Sequence, residues 1–150
     1  MSVFPDTSFL CAKYREQSNS RRADAYHETL SSPLAVSSLL LLEFRQSIRF
    51  QMRLFALDRC KGFAKTEGMA MLRALQSDLS QGVFEMTAPD WADVHRIADM
   101  LSEKHTEENG HRMTDILHVA TAIHLGSEVF LTFDANQKRL AEASGMKVPL

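Results

Sequence analysis

The stretch 111–140, HRMTDILHVATAIHLGSEVFLTFDANQKRL, constrains the fold more than any other part of the chain. From Met113 to Leu125 the apolar residues Ile116, Val119, Ala120 and Ile123 recur at three- and four-residue spacing. That is the period of a helix with one buried face. Thr114 stands where an N-cap is expected, and Asp115 puts an acid in the first turn, at the positive end of the helix. Gly126 is a natural C-terminal stop. The segment 129–133, VFLTF, is short, β-branched and aromatic, as a buried strand is. It ends on Asp134, and a helical pattern resumes at Asn136. One carboxylate therefore opens a helix, and another sits where a strand gives way to one. Either alone reads as a helix cap; the rest of the chain repeats the arrangement.

A length of 150 residues suits one domain with a real hydrophobic core, and 45% hydrophobic with 24% charged residues is an average globular balance. Helical patterns alternate with short strands, which predicts an α/β fold with a mainly parallel sheet. The longest apolar run is the four leucines from Leu39 to Leu42, far short of the roughly 18 residues of a membrane span. The opening MSVFPD has no basic-then-apolar pattern, so no signal peptide is expected. Cys11 and Cys60 lack CxxC spacing and read as reduced, buried thiols of a cytoplasmic protein. A net charge of −2 means that any nucleic acid is met by a local patch or a metal site.

Ser2 to Pro5 reads as a first strand that Pro5 must end, which leaves Asp6 at its carboxyl end. A helix follows, capped by Thr7 or Ser8. The polar run 16–22 reads as a solvated turn before a helix from about Ala23 to Leu30. Leu34 to Val36 is the second strand, and a capped helix 39–57 carries Glu43 near its first turn. Leu41, Phe44, Ile48, Met52 and Phe55 form its apolar stripe. Phe50, Leu54 and Leu57 make a second apolar face, which predicts contact with another helix or subunit. Arg45, Arg49 and Arg53 form a basic strip that is either solvated surface or a phosphate- or acid-binding edge. Phe63 to Leu79 is a helix with Met69, Leu72, Leu75 and Leu79 inward. A strand 82–86, a helix 91–105, a loop 106–110 and a last short strand at Lys147-Val148 complete the reading.

In an open parallel sheet, function gathers beyond the carboxyl ends of the strands. Chain order puts Asp6, Glu43 and Asp134 on that edge, and Asp115 is compatible with it. Two carboxylates about 4 Å apart at an effective dielectric of roughly 20 repel by about 4 kcal/mol. Clustered acids must therefore share protons or hold a cation. Without His or Cys in ligand spacing, hard oxygen donors favour Mg²⁺ or Mn²⁺. Such an ion makes water a nucleophile for a phosphodiester. His118, at i+3 from Asp115, has the spacing of a di-iron bundle motif, but no second copy exists, so it reads as a core or surface histidine. An aspartyl phosphatase would want an acid two residues after Asp6, where Ser8 stands.

FPDTSFL (4–10), SLLLLEF (38–44) and TDILHVATAIHLGSEVFLTFDANQKRLAEASGMKV (114–148) resemble a PIN domain, with the VapC-type toxin ribonucleases as nearest kin. The resemblance implies one PIN-like nuclease domain over 1–150, a three-layer sandwich with a central, mainly parallel five-stranded sheet flanked by helices. It implies that Asp6, Glu43, Asp115 and Asp134 hold Mg²⁺ or Mn²⁺ and position the attacking water. Thr7, Ser8 and Thr132 would orient them, with RNA met by Arg112 and by Arg45, Arg49 and Arg53. It further implies RNA as substrate, a homodimer, and a cognate antitoxin through which alone DNA would be reached; no membrane is implied. The competing expectation is a catalytically inactive PIN fold that binds RNA or a partner.

Overall fold

The computed structural model describes all residues 1–150. It contains seven helices and four three-residue strands, in the order β1 (Val3–Pro5), α1 (Thr7–Tyr14), α2 (Ser20–Glu28), β2 (Leu34–Val36), α3 (Ser38–Leu57), α4 (Lys65–Ser80), β3 (Phe84–Met86), α5 (Trp91–Asn109), α6 (Met113–His124), β4 (Val129–Leu131) and α7 (Ala135–Ala143). No helix is long and apolar enough to cross a membrane.

The strands are parallel, as expected, but the five-stranded sheet is not formed. β1 pairs with β4, β2 pairs with β3, and a single bridge from Val129 to Lys147 stands where a fifth strand was expected. β1 and β2 lie side by side without a hydrogen-bonded ladder. Pro5 supplies a physical reason. Ser2 accepts from the Glu128 and Val129 N–H groups and Asp6 donates to Leu131, so the even-numbered residues of the strand face β4. Val3 and Pro5 therefore face β2, and Pro5 has no N–H to give.

Several boundaries also move. Asp6, not Thr7 or Ser8, caps α1. Arg112, not Thr114, occupies the N-cap of α6. The expected loop 106–110 is mostly helix, because α5 runs to Asn109 and ends on Gly110 at φ 66°, a left-handed position that favours glycine. In α4 Gly68, Met71 and Leu75 are buried and Leu72 and Leu79 pack against the core, while Met69 is exposed. The two thiols are not buried as expected: Cys11 is half-buried and Cys60 is exposed.

One core cluster joins the elements, with Phe4, Phe9, Phe44 and Phe130 fully buried in it. Each such side chain contributes roughly 1.5–3 kcal/mol by leaving water. Phe4 stacks on Phe130 at 6.3 Å between β1 and β4, and Phe9 stacks on Phe133 at 6.4 Å. These two stacks clamp the end of β1 to the end of β4, which is where the acids gather.

Candidate active site

Asp6 is the hub of that edge. It is fully buried between β1 and α1. Its Oδ1 accepts from the Phe9 N–H at 2.9 Å and the Ser8 hydroxyl at 2.6 Å. Its Oδ2 accepts from the Thr132 hydroxyl at 2.5 Å and from Gln137 Nε2 at 2.8 Å. An ionised carboxylate has about four acceptor positions, and here all four are filled. Burial nevertheless raises the Asp6 pKa from 3.8 to about 6, with the donors from Ser8, Thr132 and Phe9 pulling the other way.

Ser8 and Thr132 carry the network onward. Ser8 Oγ accepts from the Phe133 N–H at 2.8 Å, and Thr132 Oγ1 accepts from the Asp134 N–H at 2.9 Å. The two hydroxyls lie 3.2 Å apart. Asp134 Oδ1 then caps α7, accepting from the Asn136 and Gln137 N–H groups at 2.8 and 2.9 Å. Only Oδ2 of Asp134 is left to face the site. The Thr7 hydroxyl is buried near Glu43 without a hydrogen bond of its own.

The helix α6 supplies a second row. Arg112, Asp115 and His118 recur at three-residue spacing, on one face. Asp115 is almost wholly buried, and Arg112 grips it with both arms, Nε to Oδ2 at 2.9 Å and Nη2 to Oδ1 at 3.2 Å. The same guanidinium reaches Asp134 Oδ2 at 3.9 Å. One turn on, the fully buried His118 meets Glu43, Nε2 to Oε2 at 2.7 Å. Burial pushes the Glu43 pKa up, but the hydrogen bond and charge of His118, with help from the Arg112 charge, leave it below its usual range.

The arrangement brings Asp115 and Asp134 onto one cation. The Arg112 pKa is raised, first by its hydrogen bonds to Asp115 and that residue's charge, with Asp134 and Glu43 adding to them. As they stand, no three acidic, histidine or cysteine side chains form a ready ligand set. The fit to a divalent ion is nevertheless good in chemistry and charge. The donors are hard oxygens, and a guanidinium already stands between two of them as a positive group. Asp115, Asp134 and Glu43 are the side chains that would hold Mg²⁺ or Mn²⁺ once Arg112 moved. Asp6 would join them only by releasing one of its four donors.

Glu43 sits at the start of the second turn of α3, within a residue of its expected place, because Ser37 caps the helix as expected. Arg45, Arg49 and Arg53 make no ion pair and lie along other faces of α3 than Glu43, Arg53 being about 15 Å further along. Two participants were not legible as such. His118 is the core histidine that the sequence suggests, but its bond to Glu43 is not foreseen, although its i+3 spacing from Asp115 is a signal for a role beside the acids. Gln137 gave none, since only tertiary structure brings it to Asp6.

The sequence model of the PIN domain family matches residues 3–143. Among solved structures, the chain is similar to VapC20 of Mycobacterium tuberculosis, a sarcin–ricin loop cleaving toxin, with a TM-score of 0.69 and 21% identity over 97% of each chain. It is similar to FitAB bound to a DNA fragment, with a TM-score of 0.69 and 20% identity over 97% of this chain and 92% of that one. It is also similar to VapBC2 of Rickettsia felis bound to a fragment of its promoter, with a TM-score of 0.61 and 15% identity over 99% of this chain and 97% of that one. No curated protein sequence matches the chain. At these identities the likeness establishes the fold.

Proposed function

The chain belongs to the PIN domain family, and from that premise we propose that it is a Mg²⁺- or Mn²⁺-dependent endoribonuclease, the toxin of a toxin–antitoxin pair. The observation that carries this reading is the pair Asp115 and Asp134 turned toward one cation, with Glu43 adding its charge and the Asp6 network behind them. Asp115, Asp134 and Glu43 are assigned as ion-holding residues, with Asp6 completing the quartet. Ser8 and Thr132 fix the carboxylates through the hydrogen bonds described above, and Thr7 lines the pocket beside Glu43.

When bound, a divalent ion supplies a more acidic water and offsets the charge that builds on the phosphate. Neither the serine nor the cysteine beside the carboxylate edge offers a nucleophile in its place. The Ser8 hydroxyl is committed to Asp6 and to the Phe133 N–H. Burial pushes the Cys11 thiol up to about 11, far from the thiolate that attack would need. Water as nucleophile predicts products without a 2′,3′-cyclic phosphate, because the ribose 2′-hydroxyl takes no part. End analysis of a cleaved RNA tests this; cyclic ends would exclude the mechanism.

One observation favours a second reading, a PIN fold that binds RNA or a partner without cutting. It is the guanidinium lodged between the acids. Binding of RNA with no divalent-dependent cleavage would select that reading.

The antitoxin and the dimer belong to the same proposal. Similar structures include FitAB and VapBC2 bound to DNA, and a partner of that kind would carry any DNA contact here. Phe50 and Leu57 remain exposed on α3, 52% and 70%, with Leu54 half-buried between them. This face is assigned to a second copy. Phe50→Asp is expected to convert a dimer to a monomer in light scattering at tens of micromolar. A monomeric wild type, or a dimer unmoved by the substitution, would remove this face from the assembly.

A further inference from the structure

We propose that Arg112 is a built-in competitor for the divalent ion, a side chain that neutralises Asp115 and Asp134 and must swing away before an ion can be held there. The inference rests on the metal-dependent reading above and adds a control on ion occupancy that lies within the chain itself.

The geometry assigns the role to this residue alone. Both carboxylate oxygens of Asp115, a buried residue, are taken by one guanidinium at 2.9 and 3.2 Å. That same group leans toward Asp134 Oδ2 at 3.9 Å, the one Asp134 oxygen that does not cap α7. Two-armed pairs of this kind are the strong class of ion pair. Arg112 nevertheless presents 72% of its side chain to solvent. It also precedes the first residue of α6 instead of lying within the helix. A long, exposed side chain at a helix entrance can leave without disturbing the core. Leaving it in place and adding an ion would set two positive groups on the same oxygens, which is repulsive. Ion and guanidinium are therefore alternatives.

The apparent affinity of a site is its intrinsic affinity reduced by the fraction of molecules in the open form. Hydrogen bonds to charged groups contribute enough to hold that fraction near about one in ten, so removing Arg112 should tighten ion binding about tenfold.

The test is calorimetric titration of the purified chain with Mn²⁺, for wild type, Arg112→Gln and Arg139→Gln, with thermal midpoints in EDTA to verify folding. Arg139 is an exposed cation of α7 that bonds Asn136 and no carboxylate, so its loss reports the general field of one charge. The expected result is about tenfold tighter binding for Arg112→Gln and little change for Arg139→Gln. Equal tightening in both variants, or none in Arg112→Gln while the wild type binds Mn²⁺ and cleaves RNA, overturns the competition and leaves the ribonuclease reading standing. Absence of Mn²⁺ binding in all three, with no divalent-dependent cleavage, overturns both.

Discussion

Asp6→Asn is expected to cut the rate of RNA cleavage by roughly 10²–10³-fold, the scale on which one preorganised electrostatic group acts, with no loss of fold. Its thermal midpoint in EDTA at pH 7–8 should equal or exceed that of the wild type. The reason lies in the burial of the carboxylate. Its pKa rises from 3.8 to about 6 in the folded protein, so the folded state holds this proton more tightly than the unfolded chain. The stability it contributes is full below pH 3.8 and is lost as pH rises through about 6. At neutral pH the charged Asp6 therefore costs at most about 3 kcal/mol, from a shift of about two units at roughly 1.4 each. Asparagine removes that charge. The new amide also finds partners, because Gln137 can turn its unpaired Oε1 toward it. Midpoints measured for both proteins from about pH 4 to pH 8 should diverge as pH rises. A mutant that unfolds easily at every pH would mean that Asp6 is a structural hub first.

Asp115→Asn should remove divalent-ion binding. Changing residues that merely support metal ligands costs 10–100-fold in affinity, and a direct ligand should cost more than about 100-fold. The fold should tolerate the change, because Arg112 is largely exposed and would be released to water instead of being stranded as a buried charge. Titration with Mn²⁺ compares the two proteins directly. Equal affinities would take Asp115 out of the ion site, whatever happened to cleavage.

The order of elements, the place of Asp6 at the end of β1 and that of Asp134 between β4 and α7 are readable from local patterns, although β4 stops at Leu131 and Asp134 caps α7 instead of ending the strand. Short apolar runs beside acids, and helices of clear period, carry their own evidence. The width of the sheet was not readable in the same way. The pairing of β1 with β2 depends on which side of the strand Pro5 faces, and that is decided by Ser2 and Asp6 bonding to β4. Caps misled by one or two residues, because Asp6 both ends a strand and caps α1, a double duty that spacing does not show. Arg112 was legible as a basic residue near the acids but not as their counter-ion. Its three-residue step to Asp115 allows the contact, and only the packing of α6 against α7, which Asp134 caps, also brings Asp134 within reach. His118 and Gln137 lie 75 and 131 residues from the acids they bond, beyond anything that periodicity can report.

If this carboxylate edge cleaves RNA with the help of a divalent ion, activity must follow the ion. The most direct measurement is the initial rate of internal cleavage of an end-labelled mixed RNA by the wild-type chain, first with Mn²⁺, then with excess EDTA, then with Mn²⁺ restored. The expected result is cleavage that stops with EDTA and returns with the ion. Cleavage that continues in EDTA would contradict it.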